Sequence, residues 1–133
     1  MNKIIVSGKR KTAVAKAIIE IGSGKITVNK KDYKNLQNFN KLKIDEPLRI
    51  AENILGKIKF DISISVKGGG EKSQIDAVRL ALAKSIVKFS NSEQLTKAFL
   101  NYDRNLLVAD IRRKETYKPG DSKARKKRQS SKR

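Results

Sequence analysis

Two hydrophobic rhythms follow each other along the chain. Lys3 to Val6 is a short apolar run that reads as an edge strand. Beyond Thr12, Ala13, Ala15, Ala17, Ile19 and Ile21 share one parity, with Lys16 and Glu20 on the other. That alternation predicts a strand with one buried face. The small alanines imply that something packs closely over it. Gly22-Ser23-Gly24 reads as a hairpin turn, because glycine enters positive φ cheaply. Ile26 and Val28 continue into a second strand ending near Asn29. Residues 30–43 are polar and rich in Asn, which predicts a loop holding a helical turn. Asp45 is placed as an N-cap, with Pro47 in the first turn where its missing N–H costs little. Leu48, Ala51 and Leu55 then keep helical spacing as far as Gly56.

The cleanest alternation lies at residues 58–67. Ile58, Phe60, Ile62, Ile64 and Val66 interleave with Lys59, Asp61, Ser63, Ser65 and Lys67. One face is dry and one wet, as in a sheet covered on one side. After Gly68-Gly69-Gly70 the period changes. Ile75, Val78, Leu82, Ile86 and Phe89 mark a long helix, and Ala77, Ala81 and Ala83 widen its close-packing face. Asn91-Ser92 breaks that helix. Ser92 then caps a further one carrying Leu95, Phe99 and Leu100. Leu106 to Val108 is short and apolar and predicts a last strand. No internal repeat is evident, and the class is α+β.

Charge changes the picture. The 133 residues hold 32 Lys+Arg against 13 Asp+Glu, a formal charge of +19. Residues 112–133 carry +9 of it, and residues 1–111 carry +10. After Ile111 the only non-polar side chains are Tyr117, Pro119 and Ala124. Such a segment cannot bury enough apolar surface to offset its ordering entropy, so it is expected to be disordered alone. The reading is a body, 1–111, and an extended basic tail, 112–133. A small chain this cationic points to a polyanion, with nucleic acid ahead of a membrane surface. The basic stretches lack the bulky apolar face that interfacial helices need.

Other chemistry is thin. There is no Cys and no His, so disulfides, thiolate ligands and Cys nucleophiles are excluded. Asp45-Glu46, Asp103 and Asp110 are scattered acids, more simply solubility partners than a nuclease cluster. No enzyme activity, cofactor, metal or small-molecule substrate is expected. No run of 18 apolar residues suggests a membrane span. Met1 to Ser7 is too short and too soon followed by charge for a signal peptide, so a soluble intracellular protein is expected.

Three features stand out as candidates for phosphate contact. Gly8-Lys9-Arg10-Lys11-Thr12 sets three consecutive cations between two strands. Lys67-Gly68-Gly69-Gly70-Glu71-Lys72-Ser73-Gln74 joins a strand to a helix, with N–H groups and two lysines available to an anion. It matches neither the Walker nor the dinucleotide spacing, and a glycine run is more often a tight structural connection than a site. The third feature is the tail, with Lys123-Ala124-Arg125-Lys126-Lys127-Arg128 and the ending Ser130-Ser131-Lys132-Arg133.

These residues resemble a known family. Gly68-Gly69-Gly70, Ser73-Gln74, Ala77 and Ala81-Leu82-Ala83-Lys84-Ser85-Ile86 are similar to the signature of the ribosomal protein S-nine family of the small subunit. Gly8 to Ala13 is similar to that family's opening. Lys118-Pro119-Gly120, Ala124-Arg125 and the Ser-Lys-Arg terminus are similar to its ending. Leu106 to Glu115 resembles the archaeal and eukaryotic branch. An aromatic is usual near the family's terminus, where Ser131 and Lys132 stand, and a proline or small residue is usual at Ile111.

The resemblance implies a four-stranded mixed sheet with helices on one face, similar to the ribosomal S-five domain-two fold with its left-handed crossover. It implies a non-catalytic constituent of the small ribosomal subunit in the cytoplasm, bound to rRNA of the subunit head beside neighbouring head proteins. Implied rRNA contacts are Lys9, Arg10, Lys11, Lys67, Gly68, Gly69, Gly70 and Lys72 in the body. In the tail they are Arg112, Arg113, Lys114, Lys118, Lys123, Arg125, Lys126, Lys127 and Arg128. Ser130, Ser131, Lys132 and Arg133 are the implied contacts to P-site tRNA. The rivals are a subunit of an RNA-processing ribonucleoprotein and a DNA-binding architectural protein. The latter would want a cation-studded recognition helix or an intercalating wedge.

Overall fold

A computed structural model of the chain describes residues 3–57 and 59–108. Five strands form one mixed sheet: β1 (Ile4–Arg10), β2 (Ala13–Ile21), β3 (Ile26–Val28), β4 (Lys31–Asp32) and β5 (Phe60–Lys67). The spatial order is β1-β2-β5-β3-β4, with only the β3–β5 pair parallel. Three helices complete the fold: α1 (Asn38–Leu55), α2 (Glu71–Ser90) and α3 (Glu93–Tyr102).

The alternation places the core. Ala13, Ala15, Ala17 and Ile19 of β2, and Phe60, Ile62, Ile64 and Val66 of β5, are buried beneath the helices. Against them lie Ile75, Val78, Leu82 and Ile86 of α2, with Ile44, Leu48 and Ala51 of α1 and Leu95 and Phe99 of α3. The opposite sheet face carries the exposed or half-buried positions, so helices cover one face only. Small residues let α2 lie unusually close. A Cβ on Gly8 of β1 would stand 2.7 Å from the Ala77 carbonyl oxygen and 2.8 Å from the Ala81 nitrogen. β1 and α2 therefore touch backbone to backbone. Ser92 caps α3 as expected, its hydroxyl accepting from the Leu95 N–H at 3.3 Å.

Several expectations are corrected. The sheet has five strands, not four, because Lys31–Asp32 adds a short edge to β3. Gly22-Ser23-Gly24 does not close a hairpin, since β5 lies between β2 and β3. Asp61 of β5 reaches the turn instead. One of its carboxylate oxygens accepts from the N–H groups of Ser23, Gly24 and Lys25, at 3.0, 3.0 and 2.9 Å. The turn is thereby capped by the strand that separates its arms. Ile21, at the strand end, is 80% exposed despite its parity.

α1 begins at Asn38, seven residues before the expected Asp45 cap, and Pro47 sits buried in its interior. The helix forgoes one bond there, since proline has no N–H to donate. Burial of Ile44, Pro47 and Leu48 against the core holds it through that gap. Leu106 to Val108 forms no strand. Arg104–Leu106 is a 3-10 turn capped by Asp103, and Leu106 is fully buried. Ile58 lies outside the described residues.

Candidate nucleic-acid interface

The register of β1, β2 and β5 arranges the open face in rows. Lys9, Val14 and Lys67 stand side by side, and the next row holds Ser7, Lys16 and Ser65. Ile5, Ile18 and Ser63 form the third row, followed by Glu20 opposite Asp61. Lys9, Lys16 and Lys67 are exposed. At the same end, Lys11 and Thr12 make the two-residue turn between β1 and β2, with Lys11 at φ +54°.

The candidate cations divide. Lys9 and Arg10 belong to β1 rather than to a loop, and neighbouring strand residues point to opposite faces. Lys9 lies on the open face. Arg10 lies on the helix side, with its side chain 18% exposed and its Nε 3.7 Å from an Asp76 carboxylate oxygen. Lys43 approaches the other Asp76 oxygen at 3.4 Å. Beside this cluster Arg79 bridges Glu46 at 2.6 Å and Asp103 at 3.3 Å. These ion pairs tie β1, α1, α2 and the turn at Asp103 together. Arg10, Asp76, Arg79 and Asp103 line a cleft of about 140 Å³ bordered also by Lys9, Leu80 and Asn105. Arg10 thus stands within the scaffold, and Lys9, Lys11 and Lys67 stand at the surface.

The glycine run reads first as structure. Gly68 and Gly69 take φ +81° and +66°. A Cβ on Gly68 would lie 2.6 Å from the Thr12 carbonyl oxygen, and one on Gly69 would lie 3.1 Å from the Ala13 nitrogen. Both glycines therefore let the β5–α2 connection pass against the β1–β2 turn. Gly70 has open space around it and precedes the first turn of α2. Gln74 secures the connection by donating to the Gly68 carbonyl oxygen at 3.1 Å. Lys72 is exposed on the first turn of α2. The tail candidates, from Arg112 to Arg133, lie outside the described residues.

Lys16 is not among the contacts expected from the sequence. The signal for it was present, since its parity puts it on the wet face of β2. Only strand pairing, however, reveals that Lys9 and Lys67 stand diagonally across from it, one row away.

Two titrating groups are shifted. Three amide donors, led by Lys25, hold Asp61 below the usual carboxylate range. Burial and a hydrogen bond to Asp45 push the Tyr33 phenol up to about 12. Neither belongs to a reactive cluster. Among the described residues no group of three or more acidic, His or Cys side chains could hold a metal ion. No described helix is long and apolar enough to cross a membrane.

Such a cation-rich α+β body, open on one sheet face, belongs to the class of proteins that meet a polyanion through their surface. The family described as ribosomal protein S9/S16 matches residues 8–133. The chain is 46% identical to the small ribosomal subunit protein uS9 of Methanococcus vannielii over 123 residues, covering 92% of this chain and 90% of that protein. It is 46% identical to the protein of the same description from Methanococcus maripaludis over 134 residues, covering 98% of each. The Thermoplasma volcanium counterpart is 44% identical over 137 residues, again covering 98% of each. The chain belongs to the ribosomal protein S9/S16 family, and it is a ribosomal protein rather than an enzyme.

Proposed function

We propose that the chain is a structural constituent of the small ribosomal subunit in the cytoplasm, that it binds rRNA of the subunit head beside neighbouring head proteins, and that its basic tail reaches the P-site tRNA. The observation that carries this reading is the likeness to small-subunit proteins along nearly the whole chain, tail included. The left-handed crossover of that fold belongs to the same reading. Charge supports it. A tail of +9 gains counterion release at each phosphate it passes. Its single aromatic, Tyr117, leaves little base stacking, so shape and phosphate contact dominate over base readout there.

Sedimentation of cell extract at low magnesium and raised salt tests the first part. A stoichiometric signal in the small-subunit peak is expected. A signal at the top of the gradient, or in a smaller ribonucleoprotein, would overturn it. Removal of Lys132 and Arg133 tests the second part. Incorporation into subunits should be unchanged and P-site tRNA affinity reduced; an unchanged tRNA affinity in the truncated subunits refutes the tail contact.

A further inference from the structure

The open face of the sheet is polarised along its strands. Lys9, Lys16 and Lys67 gather at the end where β1 and β2 meet in the Lys11-Thr12 turn. Toward the other end Glu20 stands opposite Asp61, with Lys3 beside Glu20 and Lys25 near Asp61, while Asp32 lies in the Ile18–Ser63 row. Each acid is already engaged. Glu20 lies 3.7 Å from Lys3, Asp61 accepts from three amides, and Asp32 accepts from the Lys34 N–H at 3.0 Å. The three lysines form no ion pair among the described residues. Their charge is therefore left for something beyond the described residues.

Resting on the proposed function and deepening it, we infer that the Lys9–Lys16–Lys67 end of the open sheet face is where the folded body docks on the backbone of double-stranded rRNA. Adjacent strands lie about 4.8 Å apart and alternate residues about 6.7 Å. The three lysine Cα positions therefore form a triangle roughly 8–10 Å on a side. A nucleic-acid duplex carries a charge about every 1.7 Å of its axis, so one duplex face can meet all three. Ser7 and Ser65 flank Lys16 in its row and are exposed, as donors and acceptors for phosphate and ribose hydroxyls. Val14 sits between Lys9 and Lys67. The rows hold no aromatic side chain, so this face lacks the stacking platform that reads unpaired bases. On the helix side Arg10, Lys43 and Arg79 are paired with Asp76, Glu46 and Asp103.

The test uses the full chain bound to protein-free small-subunit rRNA of its own organism, with lysine acylation read by mass spectrometry. Lys9, Lys16 and Lys67 should be protected at least several-fold relative to the free chain. Lys34, Lys88 and Lys97, exposed on other faces, should stay reactive. The variant K9Q/K16Q/K67Q should lower the slope of log affinity against log salt by about three, one per lost phosphate contact. A charge-matched K34Q/K88Q/K97Q variant should lower it by less than one. A chain that binds the rRNA while Lys9, Lys16 and Lys67 remain fully reactive overturns the docking face and leaves the function standing. A chain that does not bind the protein-free rRNA overturns the docking inference and leaves subunit membership to the sedimentation test. Protection that appears only when other subunit proteins are added assigns the face to a protein neighbour and overturns the inference.

Discussion

Gly8→Ala probes the closest contact in the fold. The added methyl would stand 2.7 Å from the Ala77 carbonyl oxygen, 2.8 Å from the Ala81 nitrogen and 3.2 Å from the Ala81 Cα. All three atoms are backbone in the middle of α2, so no side chain can swing aside. Relief requires β1 to move off the helix by about half an ångström or more. That movement would strain Val6 at the core margin and the Lys84 Nζ bond to the Ser7 carbonyl oxygen, now 3.1 Å. Overpacking of this kind costs about 1–3 kcal/mol. With no flexible atom to yield, the upper half of that range is expected. For a body of this size that is a fall in Tm of roughly 8–20 °C. Gly70→Ala is the control, since nothing lies within 4 Å of its Cβ position and its φ of −87° is open to any residue. Urea unfolding followed by far-UV circular dichroism measures both. Gly8→Ala should lose clearly more stability than Gly70→Ala at an unchanged m-value. A loss below about 0.5 kcal/mol for Gly8→Ala, within the range of ordinary surface changes, would refute the backbone-contact argument.

Asp61→Ala removes the acceptor that gathers the Ser23, Gly24 and Lys25 amides. Because the folded Asp61 carboxyl titrates below its unfolded value, its contribution is complete above the unfolded pKa, near 3.9. It is lost as pH falls through the lower folded value. Wild type should therefore exceed Asp61→Ala in urea midpoint at pH 7, with the gap closing in acid; a constant gap would contradict the assignment. Tyr33 carries the opposite sign. Its phenol, pushed up to about 12, stabilises the fold below pH 10 and loses that contribution as pH rises toward 12. Ultraviolet titration of Tyr33→Phe should lack the latest-ionising phenol seen in wild type, and retention of that phenol would sink the idea. Phe99→Ala, at a fully buried site joining α3 to the core, should cost about 3–5 kcal/mol by the same urea assay.

Local pattern was enough for most elements. Period-two alternation predicted β2 and β5, and the 3.6-residue period with Ser92 predicted α2 and α3. These signals are local because a side chain's exposure repeats with the backbone's own geometry. Net charge and the run of basic residues likewise pointed to a polyanion without any structure, since charge sums over composition. Pairing was another matter. Gly22-Ser23-Gly24 has hairpin chemistry, yet β5 pairs between the two strands and its Asp61, 36 to 38 residues distant, accepts from the turn's amides. Pro47 looked like a helix start because propensity is short-sighted, whereas burial of Ile44 and Leu48 continues α1 through it. The candidate site divided for the same reason. Three consecutive cations read alike in one dimension, but pleating sends Lys9 outward and Arg10 toward Asp76. Gly68 and Gly69 are required by a turn 56 residues earlier, at Thr12 and Ala13, and no local pattern records that approach. Lys16 joins Lys9 and Lys67 only through strand register, because neighbours across a sheet are chosen by tertiary packing rather than by sequence distance.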